Sequence, residues 1–340
     1  MGACRAARVP RASGGRLALS GHLGLGDWSF EPTVVAGLVA AVVLYWVAWR
    51  RGMLSGANDV SPWFRNGRAR PVYFAIGVAI AYIALQSPID AGGDEFLFSL
   101  HMLQHLLLMM VAPPLVLLGL AGMRSLPAPR FAMLRRVWWA VTRPWPAVLL
   151  FNAVMLVWHI PALYDTTLTT EPIHVLEHLS FIAVGIVFWW PIVDPVRGPA
   201  TKSVSPLEKI AAMVVAGIPP TVLGLILALS PVAFYSFYVN APRLWGISPV
   251  SDQQYGGVLM LGLGNIIYFI AITIVFVRLL GDSASDEAEA AEALQGRGPE
   301  PVAPQGESNG PSRKMEDTAR PAATPDSSQQ VGAAPSGGPR

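Results

Sequence analysis

Residues 101–120 read HMLQHLLLMMVAPPLVLLGL, an uncharged apolar stretch with two histidines four places apart. At 1.5 Å per residue such a run is long enough to cross a hydrocarbon core of about 30 Å. Similar runs recur along the chain at about 32–49, 71–87, 96–120, 145–163, 173–193, 210–230 and 255–277. Hydrophobic residues make up 53% of the 340 and charged residues only 14%, against about 25% charged in an ordinary soluble domain. The chain is too short of polar surface to be water-soluble. The expected fold is an all-α integral membrane protein, a seven-transmembrane-helix bundle spanning residues 32–280.

The ends read differently. Residues 1–31 form an N-terminal extension with Arg5, Arg8, Arg11 and Arg16 but no apolar core before a cleavage site, so no removable signal peptide is expected. Residues 281–340 turn acidic (SASDEAEAAEAL) and then rich in Pro, Gly, Ser and Gln. That composition cannot bury a core and predicts a disordered cytoplasmic tail, with room for a short helix over 285–294. The single cysteine, Cys4, permits no disulfide within the chain and no paired-thiolate metal site.

Positive charge gathers in alternate loops. Arg50, Arg51, Arg65, Arg68 and Arg70 follow the first run; Arg124, Arg130, Arg135, Arg136 and Arg143 follow the third; Arg197, Lys202 and Lys209 follow the fifth. The other connections carry only Arg243. Because cytoplasmic loops collect Lys and Arg, the N-terminus is expected outside and the C-terminus in the cytoplasm. The N-terminal arginines argue the other way and are outweighed by three loops. With a net charge of +2, nothing suggests a nucleic-acid surface; the expected surroundings are membrane lipid.

Of the six histidines, only His22 precedes the first run. Counting from the expected outer face, His101 lies about 7 Å deep, His105 about 13 Å, His159 about 6 Å and His178 about 7 Å, with His174 at the rim. HMLQH and HVLEH each put two imidazoles on one helix face, one turn apart. A lone intramembrane histidine is as readily an interhelical hydrogen bonder as a ligand. Two such pairs and a fifth histidine at matching depth point to a shared metal or haem site, since intramembrane ionisable groups face a partner or cavity and imidazole is the commonest metal ligand. Gln104 and Glu177, inside the pairs, are candidates to orient the rings, although Glu177 at the rim could equally be solvated. Most methionines are core filler, but Met109, Met155 and Met260 fall near the histidines by position. Imidazole and thioether donors without thiolate suit Cu(I). Pro113–Pro114 and Pro219–Pro220 interrupt two of the runs. Each removes a backbone donor, which is as consistent with a packing irregularity as with a hinge.

Taken together and in this order, HMLQHLLLMMVAPPLVLLG, VWHIPALYD, HVLEHLSFIAVGIVFWWP and SPVSDQQYGGVLM resemble the multi-span CtaG family of cytochrome c oxidase assembly factors. The resemblance covers roughly residues 30–280. It implies a seven-span plasma-membrane protein that helps form active haem–copper oxidase, with copper delivery the expected role and oxidase subunits the partners. It carries over His101, His105, His159, His174 and His178, with Asp252 and Gln253 as the family's DQ motif. Leu261 stands where tryptophan is expected. The metal set expected here is those five histidines with Met260; the expected ion is Cu(I), and no substrate turnover is expected. A haem-binding electron carrier, a di-iron oxygenase and a transporter with pore-lining histidines stay open as alternatives. A reporter fused after Leu280 should be active only in the cytoplasm; activity on the far side would move every histidine to the inner leaflet.

Overall fold

The computed structural model describes residues 23–54, 69–123, 132–195 and 204–296. Cys4, His22, the N-terminal arginines, Arg65, Arg68, Arg124, Arg130, Arg197, Lys202 and residues 297–340 lie outside the described residues. By compactness the chain divides after Glu287, and the helical bundle is the unit that ends there.

Every described element is a helix. They are α1 (Pro32–Arg50), α2 (Arg70–Gln86), α3 (Pro88–Glu95), α4 (Phe98–Leu106), a π-helical turn (Leu107–Val111), α5 (Ala112–Gly119), α6 (Ala132–Val141), α7 (Pro144–Trp158), α8 (Pro161–Thr169), α9 (Glu171–Val193), α10 (Pro206–Leu229), α11 (Ser236–Asn240), α12 (Pro249–Leu259), a second π turn (Met260–Gly264) and α13 (Asn265–Gly296). Six helices or joined helices are long and apolar enough to cross a membrane, and a seventh if α6 and α7, bent by 83° at their junction, count as one span. Surface and interior are inverted relative to a soluble protein. Leu149, Phe269 and Leu229 are more than 70% exposed, while Gln86, Gln104 and Glu177 have no exposure at all. This is a multi-pass membrane bundle with an apolar rind and a polar centre.

Two boundaries differ from expectation. The fourth span, expected to reach residue 163, ends at Trp158, with His159 as its C-cap. Pro161 explains this: a residue before proline is pushed out of helical geometry, and Ile160 has φ −64° and ψ 122°. At the other end α13 continues to Gly296, so residues 285–294 belong to a helix that begins in the last span.

The proline pairs act unequally. Pro113 and Pro114 leave the carbonyls of Met109 and Met110 without their helical donors, and the helix widens into the first π turn just before them. Trp189 of α9 repairs the loss: its indole N–H donates to Met109 O at 3.2 Å. The helices approach closely enough for this because Gly185 faces that carbonyl, where an added Cβ would sit 2.8 Å away. Pro219 and Pro220 lie inside α10 without ending it.

α4 is held in place by its neighbours. Its first amides, Phe98 N and Ser99 N, donate to Asp252 Oδ2 at 2.6 Å and Oδ1 at 3.1 Å, so a carboxylate from α12 caps it across the bundle. Gln253 accepts from Phe234 N at 2.7 Å and donates to Val232 O at 3.0 Å, pinning the loop before α11. The DQ pair is thus structural. Asp252→Ala should lower the unfolding free energy by about 1–2 kcal/mol, read as an earlier thermal transition of the detergent-solubilised protein.

Candidate metal centre

Four helices converge at the end of the bundle served by the connections poor in Lys and Arg. Helix periodicity does the first part of the work: His101 and His105 share a face of α4, and His174 and His178 share a face of α9. Ring centroids are 4.2 Å apart within each pair, 5.9 Å between His101 and His178, and 5.6 Å between His105 and His178. Glu177 reaches into the same space from α9. Its two oxygens lie 3.9 Å from His101 Nε2 and 3.8 Å from His105 Nε2. His101, His105, Glu177 and His178 each offer a donor atom within 4.8 Å of all the others, and all four are buried. A second set, Asp94, His101 and His174, shares His101, with His174 Nε2 3.2 Å from Asp94 Oδ1.

These separations suit an ion. Bonds of about 2.0–2.1 Å in a tetrahedral site hold ligand atoms roughly 3.3 Å apart. The contacts to Glu177 are therefore somewhat long for direct hydrogen bonds and within a small contraction of metal-bridged ones.

The protein also sets the tautomer of His101. Tyr238 Oη donates its one proton to Gly93 O at 2.7 Å and lies 3.1 Å from His101 Nδ1. Burial pushes the Tyr238 phenol well above its ordinary value, so the hydroxyl keeps that proton and can only accept from the ring. Nδ1 must then carry the ring hydrogen, and Nε2 presents its lone pair toward Glu177. Gly93 makes this possible, since a Cβ there would fall 2.9 Å from the backbone of His101. Tyr238→Phe removes the acceptor that fixes the ring and should weaken metal binding about 10- to 100-fold, measured by competition against a chelator, with the amount of folded protein unchanged.

Not every expected residue joins the cluster. His159, expected at the same level as His101 and His178, sits apart across Met102. Its Nδ1 is 2.7 Å from Met155 O and its Nε2 3.4 Å from Met102 Sδ. The helix end imposed by Pro161 places it there. Met260, Met109 and Met155 also lie away from the carboxylate, lining a cavity with His105 and His159. Gln104, a candidate orienting group, turns to Ala84 O at 3.0 Å and Asp90 Oδ1 at 2.7 Å instead. Glu177 is neither solvated nor peripheral. Asp94 was not singled out from the sequence; the signal available was an acidic residue at the rim, two turns before His101.

Fold and site together define a polytopic helical membrane protein with a buried imidazole–carboxylate centre. A family model described as cytochrome c oxidase caa3 assembly factor (Caa3_CtaG) matches residues 43–282. The chain belongs to that family, and its business is accordingly the assembly of cytochrome c oxidase, with the oxidase or its subunits as partners. Neither a curated protein nor a solved structure matches it.

Proposed function

We propose that this protein binds copper in the cluster of His101, His105, His178 and Glu177 and hands it to an oxidase subunit during assembly. The observation that carries the reading is the convergence of three imidazoles and one carboxylate, their donor atoms within 4.8 Å of one another, in a buried site. A protein that only braced its subunit partners would have no use for this set, because grouping ionisable side chains in a lipid-facing bundle is unfavourable without a compensating ligand. His174 and Asp94, nearer the rim and linked to the cluster through His101, form the entry and exit. The alternation of Lys- and Arg-rich loops supports an outer-face position for that rim, in the plasma membrane. Binding and release, with no substrate turned over, is sufficient for the role. Against a haem carrier stands the tightness of the knot: ring centroids 4.2–5.9 Å apart leave no slot for a porphyrin.

Replacing His101, His105 or His178 by Ala should strip copper from the purified protein and lower active oxidase in cells while the protein's abundance holds. His22→Ala should do neither. Stoichiometric haem in the wild type, or copper unchanged in all three variants, overturns the proposal. Glu177 favours one competing reading, a divalent ion such as zinc or iron, since carboxylate is a harder donor than Cu(I) prefers. Glu177→Gln separates them. Cu(I) on three imidazoles loses less than about tenfold in affinity, whereas a divalent ion that needs the charge loses about 100-fold.

A further inference from the structure

The cavity beside the cluster is a separate piece of chemistry. It has a volume of about 40 Å³, room for a small ion or water. Its lining includes five methionines, Met102, Met109, Met110, Met155 and Met260. Three irregularities meet there: Met109 and Met110 from the first π turn, Met260 from the second, and Pro220 from inside α10. Methionine as mere filler would close such a gap, being flexible enough to do so. Here it surrounds one.

The contact between His159 and Met102 points to what the cavity takes. His159 Nδ1 lies 2.7 Å from Met155 O, a group that only accepts, so Nδ1 carries the ring hydrogen. In a neutral ring Nε2 is then a lone pair, yet it faces Met102 Sδ at 3.4 Å, and a thioether has no proton to give. Two buried donors of electron density confront each other with no hydrogen between them. A protonated ring would resolve the clash, but no carboxylate lines the cavity to balance it. A cation would resolve it too. Bonds of about 2.0 Å to nitrogen and 2.3 Å to sulfur at a tetrahedral angle place the two atoms roughly 3.5 Å apart, close to the spacing found. The ring is also fixed in position, because Tyr235 Oη donates to His159 O at 3.2 Å.

We propose that His159 Nε2 and Met102 Sδ, with Met155 and Met260 in reach, form a second metal site for a soft monovalent ion, Cu(I) by chemistry. The site is distinct from the imidazole–carboxylate cluster and stands whether or not that cluster carries copper. His105 borders both, so an ion can pass between them with one ligand held throughout. His159 thus has its own role outside the cluster.

The test is anaerobic Cu(I) titration of the full-length protein in detergent, with Ag(I) as a redox-inert stand-in and X-ray absorption to identify the donor atoms. The wild type should bind two equivalents and show sulfur neighbours. Met102→Leu, which keeps the side-chain volume, should lose one equivalent and most of the sulfur signal. His101→Ala/His178→Ala should keep one equivalent, now dominated by sulfur; this second arm leaves every methionine in place and remains decisive if Met102→Leu folds poorly. Wild-type copper with no sulfur neighbours, or Met102→Leu with both equivalents and its sulfur signal intact, overturns the thioether site. No copper at all in the double alanine variant also overturns it while leaving the cluster reading standing. Two equivalents surviving in that variant would refute the cluster reading alone.

Discussion

A carboxylate with no exposure to solvent must find its compensating groups inside the protein, and Glu177 is such a carboxylate. In a bundle set in lipid the requirement is sharper, since the side chain cannot turn outward to water. Four imidazoles stand around it, two from its own helix and two from α4. Removing a partner from a buried polar set of this kind costs about 1–3 kcal/mol, through the group left unsatisfied. The relative placement of α4 and α9 is therefore set as much by this polar knot as by apolar packing, which in a membrane gives little direction because lipid is as apolar as leucine.

The rest of the bundle holds those two helices in register. Asp252 caps α4 from the far side of the sequence, 154 residues away from Phe98. Trp189, near the C-terminal end of α9, takes up the carbonyl that Pro113 releases, which ties α9 to the π turn that follows α4. Tyr238, from a short helix between spans, fixes the ring of His101 and through Gly93 the short helix α3. Each of these is a polar bond between elements distant in sequence, and each anchors α4, the turn that follows it, or α9. Rigidity is concentrated where ligands must be held to within a fraction of an ångström.

Much of this was legible beforehand, for reasons that can be named. Apolar runs of span length are a strong signal, so the helices fall where hydropathy puts them. Histidine spacing of four residues fixes a shared face, so the pairs His101–His105 and His174–His178 follow from periodicity alone. What was not legible depends on direction. Depth counted along a helix put His159 level with the others, but depth carries no azimuth, and the helix stopped early at Pro161. Gln104 and Glu177 occupy equivalent places within their two motifs and point opposite ways, which no linear pattern encodes. The π turns are equally hidden, since they arise where proline chemistry and a neighbour's indole meet in space.

α1 illustrates a different kind of consequence. Tyr45 is its one buried residue among those described, stacked on Phe74 with centroids 4.0 Å apart and hydrogen-bonded to Gly119 O at 3.3 Å. Most of the remaining residues are exposed, and only 6% of those in its apolar window are buried. A surface that touches only acyl chains is chosen for oiliness and not for shape, so many sequences serve equally well there. The family match starts at residue 43, two places before Tyr45 and half-way along the helix. The match thus takes in the part of the helix that carries its one buried side chain, where shape as well as oiliness constrains the residue.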